Sequence, residues 1–368
     1  MSGAGPAGDR TAGAGRAGRG PGVVRVVVPW VLCAAAGLGA SAAHVPAGWL
    51  VGSMLMAVAL TLLGGGRHAP DVRWTRPWPL RFGQVVIALL AVGPVAKSSP
   101  GELVAGLPLA LLVTAVSMIA AWFSGMWLRR RAGVDPATSV MSTLPGGASL
   151  MLAMARDVGA DERFVVFAQY LRLMVVSISL PVAALILGGS SAGGAPMPWI
   201  GGAGGWLMVA GALLLARLVQ RFVPRFPAPY IITILVVGVA AAMIAPGHVP
   251  ELPRLAVVAA YVLFGVSSGS GMTVENLRAF GRALPHVVGG IALVLAASGA
   301  CGAVMWAVGL SSPLDSYLAI APGASELVFG FLAEHGGAGI VVVMHVVRVL
   351  AVALLAPAVP RIVRRMRA

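Results

Sequence analysis

Apolar runs dominate this chain, separated by short polar or glycine-rich joints. They fall at about residues 23–42, 46–64, 80–97, 102–128, 138–155 and 162–187. A charge-free, glycine-rich joint follows at 188–204, and the series recurs at 205–222, 228–246, 254–271, 285–310, 316–333 and 339–359. Such runs match the ~20 apolar residues that a helix needs to cross a bilayer. They are continuous and lack the period-two alternation of a membrane β-barrel strand. The pattern predicts an all-α integral membrane protein.

The two series align. Pro46-Ala47 followed by Trp49-Leu50 matches Pro227-Ala228 followed by Tyr230-Ile231. Pro136 and Pro145-Gly146-Gly147 match Pro313 and Pro322-Gly323-Ala324 with the same interval between prolines. Gln169-Tyr170-Leu171-Arg172 matches His345-Val346-Val347-Arg348, and Pro181 matches Pro357. Ordered coincidence of this kind indicates internal duplication. The expected organisation is a disordered tail (1–22), membrane repeat 1 (23–187), a Gly-rich linker (188–204), membrane repeat 2 (205–360) and a basic tail (361–368). Basic residues, an apolar run and Ala40-Ser41-Ala42 have the order of a signal peptide. The run at 205–222 is the counterpart of 23–42 in the second copy, so 23–42 reads as a retained span.

Composition agrees: 58% of the 368 residues are hydrophobic and 10% charged, against about 25% charged in a soluble domain. The formal charge of +14 lies in tails and short loops, as at Arg129 to Arg131 and Arg361 to Arg367. That is the bias of cytoplasmic loops and not a nucleic-acid footprint. Charge also sets the path. If every run crosses, Arg217, Arg221 and Arg225 fall outside; if 138–157 and 316–335 dip in and return, all basic loops lie inside. The prediction is therefore two inverted repeats, each of about five spanning helices plus one re-entrant or broken helix. Both termini are placed in the cytoplasm. The bilayer is its expected partner, and a homodimer is left open.

Cys33 and Cys301 lie singly in apolar runs, and no histidines stand at metal-ligand spacing, so neither a disulfide framework nor a metal site is expected. A phosphate loop and a nucleophile–base pair are also missing from the sequence; no cofactor and no enzymatic activity are expected. Gly93-Pro94 and Gly269-Ser270-Gly271 are read as local unwinding in the third span of each repeat.

The remaining chemistry sits at the Pro-Gly breaks. Irregular backbone at membrane depth survives only where protein or a water-filled cavity covers it. A half-helix restarting after Gly146-Gly147 or Gly323-Ala324 directs free N–H groups and a positive dipole end inward, which suits an anion. Alternatively Ser325 or Glu326 caps those N–H groups. Arg172 and Arg348 each lie about ten residues, or roughly 15 Å, into a span, where a guanidinium costs at least about 2.5 kcal/mol. Two roles are open to them: a structural one, on the orphan carbonyls of the adjacent break or paired with Glu326, or the binding of an anionic substrate. Gln169 and His345 lie one turn earlier on the same face. The candidate substrate-binding set is Pro145, Gly146, Gly147, Ser149, Gln169, Arg172, Pro322, Gly323, Ala324, Ser325, Glu326, His345 and Arg348.

Four stretches, TLPGGASLM at 143–151, GADERFVVFAQYLRLMVV at 159–176, APGASELV at 321–328 and HVVRVLAV at 345–352, together resemble the AbrB family of bacterial membrane proteins, which carry a duplicated membrane domain. The resemblance covers about residues 23–360. Its usual pattern puts an acidic residue shortly after each Pro-Gly; Glu326 keeps it, while Ser149 departs from it. The family is distantly similar to cation/proton antiporters and anion transporters built from inverted repeats. Two symmetric buried charges beside two symmetric breaks, in a chain of this resemblance, lead to the expectation of a secondary transporter for a small organic anion coupled to H⁺ or Na⁺ through Glu326 and His345, with a cation/proton antiporter or a membrane sensor affecting gene expression as alternatives.

Overall fold

The structure is a computed structural model that describes residues 23–63, 78–145, 151, 154–156, 158–188, 197–223, 229–244, 251–355, 358 and 361. Gly146, Gly147, Ser149, most of both tails and part of the central linker lie outside the described residues.

All regular elements among the described residues are helical. The first half holds α1 (Val23–Ala42), α2 (Gly48–Leu63), α3 (Trp78–Ala96), α4 (Pro100–Ala105), α5 (Leu107–Ala132), α6 (Pro136–Thr143) and α7 (Glu162–Leu187). The second holds α8 (Ala203–Phe222), α9 (Pro229–Ile244), α10 (Arg254–Gly269), α11 (Val274–Phe280), α12 (Leu284–Ala307), α13 (Pro313–Ile320), α14 (Ser325–His335) and α15 (Gly339–Leu355). Five of the described spans are long and apolar enough to cross a membrane, with a sixth if α10 and α11, bent by 46°, are counted as one. Large apolar side chains such as Phe123, Leu185 and Ile244 face outward, the arrangement of a protein whose outer solvent is hydrocarbon.

The halves exchange partners. α1 packs on α2 and α8 on α9; the third helix of each half packs on the second of the other, α10 on α2 and α3 on α9. At the α2 interfaces the backbones nearly touch: a Cβ on Gly52 would lie 2.4 Å from the Ala36 carbonyl oxygen. Small residues allow such approach, from which membrane helices gain packing energy. At the centre α5 and α12 run antiparallel, with Gly290 against Ser124 and Gly289 against Trp127.

The two broken segments follow the C-terminal ends of α5 and α12, at opposite ends of the bundle. Each starts identically, with a capping side chain followed by proline: Asp135 caps α6 before Pro136, and Ser312 caps α13 before Pro313. Each stops for the same reason. A proline disfavours helical backbone in the residue before it, so Leu144 before Pro145 is extended (φ −62°, ψ 132°) and Ala321 before Pro322 leaves the helix (φ −55°, ψ 110°). Both segments then double back. The Asp161 N–H donates to Thr138 Oγ1 at 2.7 Å, and the Ala338 N–H donates to Asp315 Oδ1 at 3.3 Å, each closing a span of 23 residues. They are hairpins whose two ends meet. Thr138→Val keeps the shape and orphans the Asp161 N–H; a stability loss of about 1 kcal/mol is expected, measured by thermal unfolding in detergent.

The expected unwinding holds in one half only. α10 stops at Gly269 and resumes at Val274, capped by Thr273. α3 runs unbroken through Gly93-Pro94 to Ala96: Pro94, which has no N–H, removes the bond to the Leu90 carbonyl without ending the helix.

Candidate functional site

Two buried arginines stand beside the broken helices, where α6 ends at Thr143 and α13 ends at Ile320. Arg172 on α7 is 4% exposed and Arg348 on α15 only 1%. Arg172 Nη1 donates to the carbonyls of Thr143 (3.3 Å) and Leu144 (3.2 Å), where α6 ends. Its Nη2 donates to Gln169 Oε1, and Gln169 Nε2 donates to Met141 O (2.9 Å) and Leu144 O (3.1 Å). Arg348 repeats the device at the end of α13: Nη1 to Ala321 O (2.6 Å) and Nη2 to Ala319 O (2.9 Å). Carbonyls at a helix end lack intrahelical partners, and a guanidinium fork supplies two donors in fixed geometry. Each arginine therefore ties off the broken helix of its own half, the first of the two roles open from the sequence.

That role leaves donors over. The Nε of Arg172 and the Nε of Arg348 are both buried without a hydrogen-bond partner. Arg172 also reaches into the other half and lies flat on Gly323. A Cβ there would sit 2.4 Å from its Nε and Nη2, and Gly323 itself holds φ +73°. Only glycine fits both demands.

His345, fully buried, bonds at both nitrogens. Its Nε2 lies 2.9 Å from the Leu318 carbonyl and its Nδ1 3.0 Å from Ser325 Oγ. A carbonyl can only accept, so Nε2 carries the hydrogen, and the Ser325 hydroxyl pairs with Nδ1. Ser325 is thereby committed to His345 and does not cap α14. The N-cap position is Ala324, which offers no side-chain bond. Glu326, half-buried in the first turn of α14, accepts from its own backbone N–H and acts on Arg172 through space without a direct bond. Pro145 and Pro322 are buried beside the two carbonyl clusters.

Two features escaped the sequence reading. Tyr317 and Ser179 share a 2.6 Å hydroxyl–hydroxyl hydrogen bond that ties α13 to α7 across the halves. Ser177, one turn after Leu173, is buried without a partner. The signal available was a pair of serines in a long apolar helix opposite a lone tyrosine. Among the described residues there is no cluster of three or more metal-ligating side chains.

Comparison with known proteins places this arrangement in context. A family model described as "Transition state regulatory protein AbrB" matches residues 49–364. The chain is 26% identical over 334 residues to "Putative regulator AbrB" of Escherichia coli (strain K12), covering 89% of this chain and 92% of that protein. It is 30% identical over 166 residues to "Uncharacterized protein YhjN" of Bacillus subtilis (strain 168), covering 42% of this chain and 41% of that one.

Proposed function

The chain belongs to the AbrB family, and from that premise we propose that it is a secondary transporter of two inverted repeats, moving a small organic anion coupled to H⁺ or Na⁺. The observation that carries this reading is the pair of buried, unpartnered guanidinium Nε–H groups of Arg172 and Arg348. Charge points the same way: two buried guanidiniums act on each other through space, one carboxylate, Glu326, acts on Arg172, and α14 adds the positive end of its dipole with no side-chain bond from its N-cap residue. A carboxylate or phosphonate bound there would satisfy both Nε–H groups and balance the charge. Hairpins entering from opposite ends of the bundle support the inverted arrangement. An odd number of crossings per half, with the termini in the cytoplasm, follows from the basic loops.

Glu326 supports a second reading, a cation/proton antiporter in which the arginines only hold the broken helices and the carboxylate carries the ion. The printed name of the Escherichia coli relative, a putative regulator, fits a third, in which ligand is sensed rather than moved. The basic segments outside the spans are short, which favours transport.

Thermal unfolding of the purified protein with carboxylates, phosphonates, amines and alkali cations separates these readings. A carboxylate or phosphonate is expected to stabilise it, by about 2.7 kcal/mol at a hundredfold excess over Kd. Stabilisation by cations or pH alone overturns the anion reading and moves the centre to Glu326. A stabilising anion that is not carried into proteoliposomes favours the sensor.

A further inference from the structure

A second cavity, of about 260 Å³, opens at the end of the bundle where α1 stops, α10 starts and α14 stops. Among its lining residues are Ser41, His44, Trp49, Arg254, Glu334 and His335. None belongs to the arginine site. We propose that this cavity is a second ligand site, for a small zwitterion carrying an ammonium group at one end and a carboxylate at the other.

Unmatched donors and acceptors are the basis. Glu334 and Arg254 share the cavity and act on each other through space, yet no hydrogen bond or ion pair joins them. Arg254 is held elsewhere, with its guanidinium 4.7 Å from the centre of the Trp199 ring, a cation–π contact that fixes its position. Glu334 is held by the Ala47 backbone N–H. A fixed cation and a fixed anion that do not touch present two poles to whatever lies between them.

Further groups add to each pole. His335 Nδ1 lies 3.3 Å from the Phe331 carbonyl, so that nitrogen carries the hydrogen and Nε2 is left as an acceptor. Together with Glu334 and Ser41, which also line the cavity, it gives an ammonium group acceptors for its N–H groups. The indole N–H of Trp49, a residue 8% exposed, is buried without a partner. It and Arg254 are donors suited to a carboxylate.

The turn that carries His44 into the cavity is strained. His44 (φ 57°) and Ala47 (φ 51°) are non-glycine residues in the left-handed region, a conformation kept where surroundings enforce it and found at ligand clamps. The Ala47 strain coincides with the N–H that holds Glu334. The volume lies below the roughly 300–1,000 Å³ of ordinary ligand pockets, which limits the occupant to a small molecule.

Calorimetric titration of the full-length protein in detergent with glycine, β-alanine, 4-aminobutyrate and ethylamine tests the proposal, since the three zwitterions span different separations of the two charges. At least one zwitterion is expected to bind tenfold or more tightly than ethylamine. Glu334→Gln and Arg254→Gln should each weaken it at least tenfold. Trp49→Phe, which removes the N–H and keeps the ring, should weaken it severalfold and keeps the test open if the charge variants do not fold. The proposal is overturned if none of the zwitterions binds, if ethylamine binds as tightly, or if folded Glu334→Gln or Trp49→Phe binds them unchanged.

Discussion

Gly323→Ala is expected to destabilise the protein by about 3 kcal/mol or more, with loss of monodisperse material. Two costs combine. A left-handed backbone at a non-glycine residue costs roughly 1–2 kcal/mol, and Gly323 holds φ +73°. The added methyl would also enter the space of the Arg172 guanidinium, at 2.4 Å from Nε and Nη2. Arg172 cannot retreat freely, because its Nη1 holds the Thr143 and Leu144 carbonyls, and charge-assisted bonds of this kind are worth about 1.5–3 kcal/mol each. Gly133 supplies the control: it has φ +66° with nothing within 4 Å of its notional Cβ, so Gly133→Ala carries the backbone cost alone. The difference in unfolding free energy between the two variants measures the contact between halves. Equal losses would mean that Arg172 does not rest on Gly323.

The hairpins were legible in the sequence because their causes are local. Proline disfavours helical backbone in the residue before it, and Leu144 and Ala321, each placed before a proline, leave the helix. Asp135-Pro136 and Ser312-Pro313 are starts of the same local kind. The burial of Arg172 and Arg348 was also legible, since no long side chain can snorkel from mid-span. Which donor goes where was not. Choosing between helix carbonyls and substrate depends on distances across 27 to 29 residues of sequence, and the answer divides each guanidinium, with Nη groups on carbonyls and Nε unpartnered. The bonds that close the hairpins were invisible for another reason. Their donors, the backbone N–H groups of Asp161 and Ala338, exist at every non-proline residue. The Gly93-Pro94 expectation failed because α3 absorbs the one bond that Pro94 cannot make, whereas Gly269 to Thr273 ends with a cap that starts a new helix in another direction. The second cavity gathers Ser41, Arg254 and Glu334 from three distant segments, and no spacing links them.

Arg172→Gln and Arg348→Gln are expected to weaken binding of the stabilising anion by about 10- to 100-fold each, the loss of one charge-assisted hydrogen bond of about 1.5–3 kcal/mol. Their effects on stability should differ. Leu144 O keeps its bond from Gln169 Nε2 when Arg172 is replaced, leaving chiefly the Thr143 carbonyl without a donor. Ala319 O and Ala321 O both depend on Arg348, and His345 is already committed to Leu318 and Ser325. Each orphaned buried carbonyl costs about 1–3 kcal/mol, so Arg348→Gln should be the less stable variant by about that amount, read from unfolding without ligand. Arg→Lys separates the roles. Lysine keeps the charge and loses the fork that bonds two carbonyls while presenting a further N–H; it should retain part of the anion affinity at Arg172, where Gln169 remains, and little at Arg348. If the arginines serve only as helix ties, stability falls in the same order, Arg348 below Arg172, while the folded fraction of every variant binds the anion as the unmodified protein does. Affinity per folded molecule therefore decides between substrate binding and scaffolding, and stability alone does not.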